Sequence, residues 1–170
     1  NVDLAIIETG LGGRLDSTNV VNPELSIITS ISKDHCAILG DTLEEIAAEK
    51  AGIVKEGRPV LVSELTAEVE QVIRTVAEKK KAKFYSLKNL GMKKFPDTNL
   101  SGSYQKRNAA LAWYASELLK EKIPVNEDRV KKGLRNVKID GRWQVLKGEP
   151  RIILDACHNQ EGAVVLQENL

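Results

Sequence analysis

Three apolar runs in this sequence end in residues that bind metals or carry protons. "LAIIE" (residues 4–8) stops at Glu8 and passes into "TGLGGRLDSTN". "LSIITSI" (residues 25–31) leads into "SKDH", which supplies Asp34 and His35. A late run, "RIILDACHN", carries Asp155 and His158, so these endings hold both histidines of the chain. Glu8 and His35 are of the types that ligate a divalent metal through oxygen and nitrogen. They are also of the types that cap a helix or bond to a loop backbone, and pattern alone leaves the two readings open.

A fourth candidate is Lys50. In "DTLEEIAAEKAGIVKEG" (residues 41–57) the apolar positions Leu43, Ile46, Ala47, Ile53 and Val54 recur at helical spacing, and Lys50 occupies the one missing position. One reading is a snorkelling lysine that buries its stem and keeps its amine in water. The other is a desolvated lysine whose pKa falls, because burial penalises the charged form. A neutral amine reacts with carbon dioxide to give a carbamate, an anion that can serve a metal site.

Two glycine patterns are decoys. "GLGG" (residues 10–13) is not a dinucleotide fingerprint, because Leu15 stands where the third glycine belongs. Gly52 and Gly57 have phosphate-loop spacing, but Arg58 and Pro59 follow where Lys and Ser/Thr are required. Residues 10–13 are then either a loop needing positive φ or a close backbone approach to a ligand, with Arg14 and Asp16 beside it.

The elements that must position these residues alternate. Strands are predicted at residues 4–8, 25–31, 59–63 and 82–86, and helices at 41–57, 66–81, 104–121, about 127–136, and from about Gly162. Thr42-x-x-Glu45 fits a capping box. Residues 88–103 read as a loop or short extended segment. "RWQVLKG" and "RIILDA" flank "GEP" as a hairpin. This alternation is that of an α/β fold with a mostly parallel sheet, whose ligands bind at the carboxyl ends of strands. Composition changes around residues 138–141, so a domain boundary is expected near Gly141.

The 170 residues are 42% hydrophobic and 29% charged, enough to build a packed core. With 25 basic and 24 acidic residues, the net charge of +1 gives no support for a nucleic-acid partner or a polybasic membrane surface. Cys36 and Cys157 lie far apart, which suits a reducing, cytoplasmic setting rather than a zinc ribbon or disulfide scaffold. No apolar run reaches the length of a membrane span. Both ends look cut from something longer.

"ETGLGGRLDSTNVVNP", "SISKDHCAILGDTLEEIAAEKAGIVK", "GRWQ" and "ILDACHNQEG" closely resemble folylpolyglutamate synthase/dihydrofolate synthase of the Mur ligase superfamily, in the same order and over nearly the whole chain. The resemblance implies part of a P-loop-type ATPase domain (the Mur ligase central domain) in residues 1–141. Residues 142–170 would then begin a Rossmann-like C-terminal ligase domain. It implies an ATP-dependent amide ligase that phosphorylates a folate or dihydropteroate carboxylate to an acyl phosphate, which the amino group of L-glutamate attacks. Anionic phosphates crowded together require metal and basic groups. On the family pattern Glu8 and His35 are Mg²⁺ ligands, and Lys50 stands at the position of a carbamylated lysine. Leu15, Asp16 and Ser17 match a segment lining the pteridine pocket. Asn108, Arg142 and Asp155 match ATP contacts, and His158 matches a glutamate- or nucleotide-site residue. Without the family, Asn108 would be a solvated helix residue, Arg142 a linker arginine and Asp155 a helix cap.

The sequence departs from the family at Gln160, where proline usually follows "HN". The family's phosphate loop lies upstream of residue 1, so the resemblance implies a fragment that is inactive alone, with exposed apolar edges and poor solubility. The full-length protein is expected to be a cytoplasmic monomer. Two alternatives remain: another Mur-type amino-acid ligase, and a non-catalytic nucleotide-binding homologue.

Overall fold

The computed structural model describes residues 2–90 and 96–169, and the chain divides into two compact units, 1–90 and 91–170. In the first unit the order is β1 (Ser26–Ile28), α1 (Cys36–Leu39), α2 (Leu43–Ala51), β2 (Val60–Val62), α3 (Ala67–Lys79) and β3 (Phe84–Ser86). A short 3-10 helix, Ser17–Val20, precedes β1. The strands form one parallel sheet in the order β1-β2-β3, with Ser26, Val60 and Phe84 in register. This is the α/β class and the parallel pairing that the alternation of strands and helices predicts.

Period two explains the packing. Val60 and Val62 point to one face of β2 and join Ile28, Ala47, Ala51, Val54, Val69, Ile73 and Ala77 in the core, so α2 and α3 cover the same face of the sheet. β2 is the central strand and is buried throughout, as a strand flanked on both sides must be. A polar cluster closes the α3–β3 seam. Buried Glu70 accepts from Ser86 Oγ at 3.0 Å and from Arg74 at 2.6 Å, and the Arg74 guanidinium sits 4.2 Å over the Phe84 ring.

Two expectations are corrected here. Residues 4–8 form no strand: Leu4, Ile6 and Ile7 are exposed, and no strand among the described residues pairs with them. An apolar run becomes a strand only when a neighbour takes up its backbone N–H and C=O groups. The helix read across residues 41–57 spans only Leu43–Ala51. Ile53 and Val54 are reached by a turn, in which their N–H groups donate to the carbonyls of Lys50 and Ala51.

In the second unit α4 (Ser103–Leu118) packs against α5 (Glu127–Asn136) and α6 (Gln160–Asn169), and β4 (Gln144–Leu146) pairs antiparallel with β5 (Ile152–Leu154). The hairpin around "GEP" is therefore present. Part of the segment read as loop, residues 91–95, lies outside the described residues. No helix among the described residues is long and apolar enough to cross a membrane.

Candidate functional site

In the first unit the glycine-rich loop is clasped to the end of α2. Gly12 has φ of 65°, where a glycine is needed, but Gly13 serves a different purpose. A Cβ there would lie 2.9 Å from the carbonyl oxygens of Glu49 and Lys50, so the absent side chain lets the loop backbone lie against the helix. Gly52 is the reciprocal case, since its Cβ would meet Arg14 Cα at 2.4 Å. The Arg14 N–H donates to the Glu49 carbonyl at 2.8 Å, and the Arg14 guanidinium pairs with the Glu49 carboxylate at 2.9 Å. Asn19 donates its amide to the carbonyls of Arg14 and Gly52, and Lys55 Nζ donates to the Asn19 carbonyl at 2.7 Å. The glycine run thus approaches a helix closely.

Asp16 shapes this loop from inside. Its carboxylate accepts from the N–H groups of Gly10, Leu11 and Thr18, each at 2.9 Å, and from the Thr18 hydroxyl at 2.5 Å. Those bonds, the Thr18 hydroxyl foremost, hold its pKa down at about 2. Four bonds fill the acceptor sites of a carboxylate, so Asp16 orders the loop while Leu15 and Ser17 stand exposed on it.

Lys50 lies in the last turn of α2, where a cation suits the helix dipole, and it is half-buried. Its amine has no hydrogen bond or ion pair among the described residues. The apolar face continues past Lys50 through Ala51 and Val54, both in the core, and the clasped loop lies against its backbone carbonyl. His35 precedes α1 in the left-handed region (φ 52°), is exposed, and lies 3.7 Å from Asp34 Oδ1. Glu8 is exposed on the extended N-terminal segment. Among the described residues no three His, Cys, Asp or Glu side chains converge on one point.

In the second unit the candidates lie near two residues that spacing does not pick out, Tyr104 and Gln105. Asn108, exposed on α4, donates to Gln105 Oε1 at 3.2 Å, and Gln105 is buried. Tyr104 directly precedes Gln105 on α4. Burial, and then the nearby Asp155 charge, raise the Tyr104 pKa, with Arg142 close enough to oppose them. The Asp155 carboxylate also accepts from the N–H groups of Trp143 at 2.8 Å and Cys157 at 2.9 Å. Trp143 is buried and left-handed (φ 48°), a costly conformation for a bulky residue that this bond helps to hold. Arg142, next to it, is exposed. His158 is exposed with Nδ1 3.1 Å from the Ala156 carbonyl. Asp155 and Arg142 thus both act electrostatically on Tyr104, Asn108 is held by Gln105, and His158 lies just beyond Asp155 in the chain. The only sequence signal for Gln105 is its place three residues before Asn108 on one helix face.

The Mur ligase middle domain matches residues 1–126. The dihydrofolate synthase/folylpolyglutamate synthase of Bacillus subtilis is 42% identical over 99% of this chain and 45% of its own length. The probable dihydrofolate synthetase of Schizosaccharomyces pombe is 39% identical over 97% of this chain and 44% of its own. Among solved structures, a complex described as FPGS-AMPPCP-folate superposes with a TM-score of 0.86 at 27% identity, covering 96% of this chain and 45% of that one. Escherichia coli FolC with DHPP and ADP gives 0.80 at 30% identity, covering 94% and 41%. The chain spans less than half the length of these relatives.

Proposed function

The chain belongs to the Mur ligase family, in its middle domain, and from that premise we propose that it is part of an ATP-dependent ligase joining L-glutamate to a folate or dihydropteroate carboxylate. The observation that carries the substrate class is the 42% identity to a dihydrofolate synthase/folylpolyglutamate synthase across 99% of this chain. The nucleotide reading draws support from the relatives of this fold solved with AMPPCP and ADP.

On this reading Arg142 binds a phosphate of ATP through its planar fork of donors. Asn108 and Asp155 contact the nucleotide with the capacity their internal bonds leave. Leu15 and Ser17, exposed on the clasped loop, line the side where the pteridine lies, and Asp16 keeps that loop in shape. His158 stands at the glutamate or nucleotide side. Glu8 and His35 offer one carboxylate and one imidazole, both exposed, a donor set open enough for Mg²⁺ that keeps water and takes phosphate oxygens. Bound there, the ion would offset phosphate charge. Lys50 would carry a carbamate, formed when its neutral amine adds to carbon dioxide and loses a proton. Residues 1–141 would belong to the ATPase domain and 142–170 to the C-terminal ligase domain of a cytoplasmic monomer.

The test is glutamate-dependent ADP formation by the full-length gene product. ADP release should require both L-glutamate and a dihydropteroate or folate acceptor. Turnover only with a different acceptor would move the chain to another Mur-type ligase. Nucleotide binding without turnover would make it a non-catalytic homologue.

A further inference from the structure

Leu15, Asp16 and Ser17 lie between two fixed points, Arg14 and Asn19. Arg14 is tied to Glu49 through both its backbone and its guanidinium. Asn19 lies in the 3-10 turn Ser17–Val20 and grips from the other side. Its side-chain amide donates to the Arg14 carbonyl at 3.0 Å and to the Gly52 carbonyl at 3.2 Å. Its backbone carbonyl accepts from Lys55 Nζ at 2.7 Å. The bond to Arg14 closes the bend from residue 14 to residue 19. The bonds to Gly52 and Lys55 fasten the closed bend to the turn that follows α2. Both side-chain partners are carbonyl acceptors, so the position requires the two donors of an amide nitrogen. Aspartate has the same size but would set carboxylate oxygens against them. Asp16 orders the bend from within, yet its bonds stay between residues 10 and 18 and do not reach α2.

We propose that Asn19 is a positioning residue for the acceptor, fixing where Leu15 and Ser17 stand through its grip on Gly52 and Lys55. The proposal rests on the reading of Leu15 and Ser17 as the pteridine side.

The experiment uses the full-length protein with dihydropteroate and a folate monoglutamate as acceptors. The KM for each substrate is measured separately, and acceptor binding is followed by calorimetry. Asn19→Ala should weaken acceptor binding and raise the acceptor KM by about five- to tenfold, the scale of one or two neutral hydrogen bonds. The KM values for ATP and glutamate should stay within about twofold. Asn19→Asp should be at least as damaging as Asn19→Ala, because it adds repulsion to the lost donors, an order that loss of packing volume would reverse. Lys55→Met removes the other grip on the same turn and should raise the acceptor KM by about three- to tenfold. The double variant Asn19→Ala/Lys55→Met should fall well short of the product of the two single effects.

An unchanged acceptor KM in both Asn19→Ala and Lys55→Met overturns the proposal. So does an equal rise in all three KM values, which would mark general loosening, or a milder effect of Asn19→Asp than of Asn19→Ala. If Asn19→Ala does not fold, Lys55→Met decides by the same acceptor-specific shift. If the unaltered protein binds neither acceptor, the pteridine reading fails and takes the proposal with it. If it binds one of them and the variants bind it equally well, only the proposal fails.

Discussion

Replacing Gly13 with alanine tests whether the glycine run is a helix-docking surface. The new Cβ would lie 2.9 Å from two backbone carbonyl oxygens and from Ile53 Cγ2, about half an ångström inside ordinary contact. The carbonyls belong to the last turn of α2 and cannot rotate away, so the loop must lift. Overpacking of this kind costs about 1–3 kcal/mol. The lift also strains the Arg14 N–H bond to Glu49 (2.8 Å) and the Asn19 bond to the Gly52 carbonyl (3.2 Å). Hydrogen–deuterium exchange on the full-length protein reads this directly. Peptides covering residues 10–20 and 46–55 should exchange about 5- to 100-fold faster, with the α3 peptides unchanged. Gly52→Ala presses on the same seam from the other side, 2.4 Å from Arg14 Cα. Once one alanine has lifted the loop the second should cost little, so the double variant should fall well short of the sum. Additive effects, or an unaltered exchange pattern in Gly13→Ala, would refute the docking account. The exposed loop would then be held by something other than its contact with α2.

Three further outcomes follow from particular bonds. Asp16 has a folded pKa of about 2 against an unfolded 3.8, so its contribution is complete above the unfolded value and disappears as pH falls through about 2. Asp16→Asn should therefore loosen residues 10–18 at neutral pH and remove that loop's own acid sensitivity between roughly pH 4 and 2, read by exchange against pH. Glu70→Ala strands the Ser86 hydroxyl, 2% exposed, and should cost about 2–3 kcal/mol of local stability at the α3–β3 seam. Removing both partners in Glu70→Leu/Ser86→Ala should recover much of it, and a double variant as weak as the sum of the two would contradict the assignment. Thr42→Ala removes the hydroxyl that accepts the Glu45 N–H at 3.2 Å, and should fray the first turn of α2 by about 1 kcal/mol while leaving exchange at its Lys50 end unchanged.

What the sequence made legible divides along one physical line. Where a local bond decides the structure, the reading was close. Thr42 and Glu45 form the capping box expected of them, α5 spans Glu127–Asn136, and three apolar runs contain the strands β1, β2 and β3. Where a distant partner decides, it was not. Residues 4–8 have strand composition but no paired neighbour among the described residues. Gly13 reads as a turn or ligand glycine until Glu49 and Lys50 are known to lie against it. Trp143 gives no sign of a left-handed backbone, because the carboxylate that holds it belongs to Asp155, twelve residues on. The same line runs through the candidate site. Side chains facing outward, such as Arg142 and Asn108, could be named from a motif. Gln105, which holds Asn108, could not, because what it does depends on which side chain the fold sets beside it. Asp16 shows the consequence most sharply: motif matching counts it with Leu15 and Ser17, but its four internal bonds make it the residue that shapes their loop. A substitution there should deform that loop, whereas Ser17→Ala, on an exposed side chain, should change only what touches it.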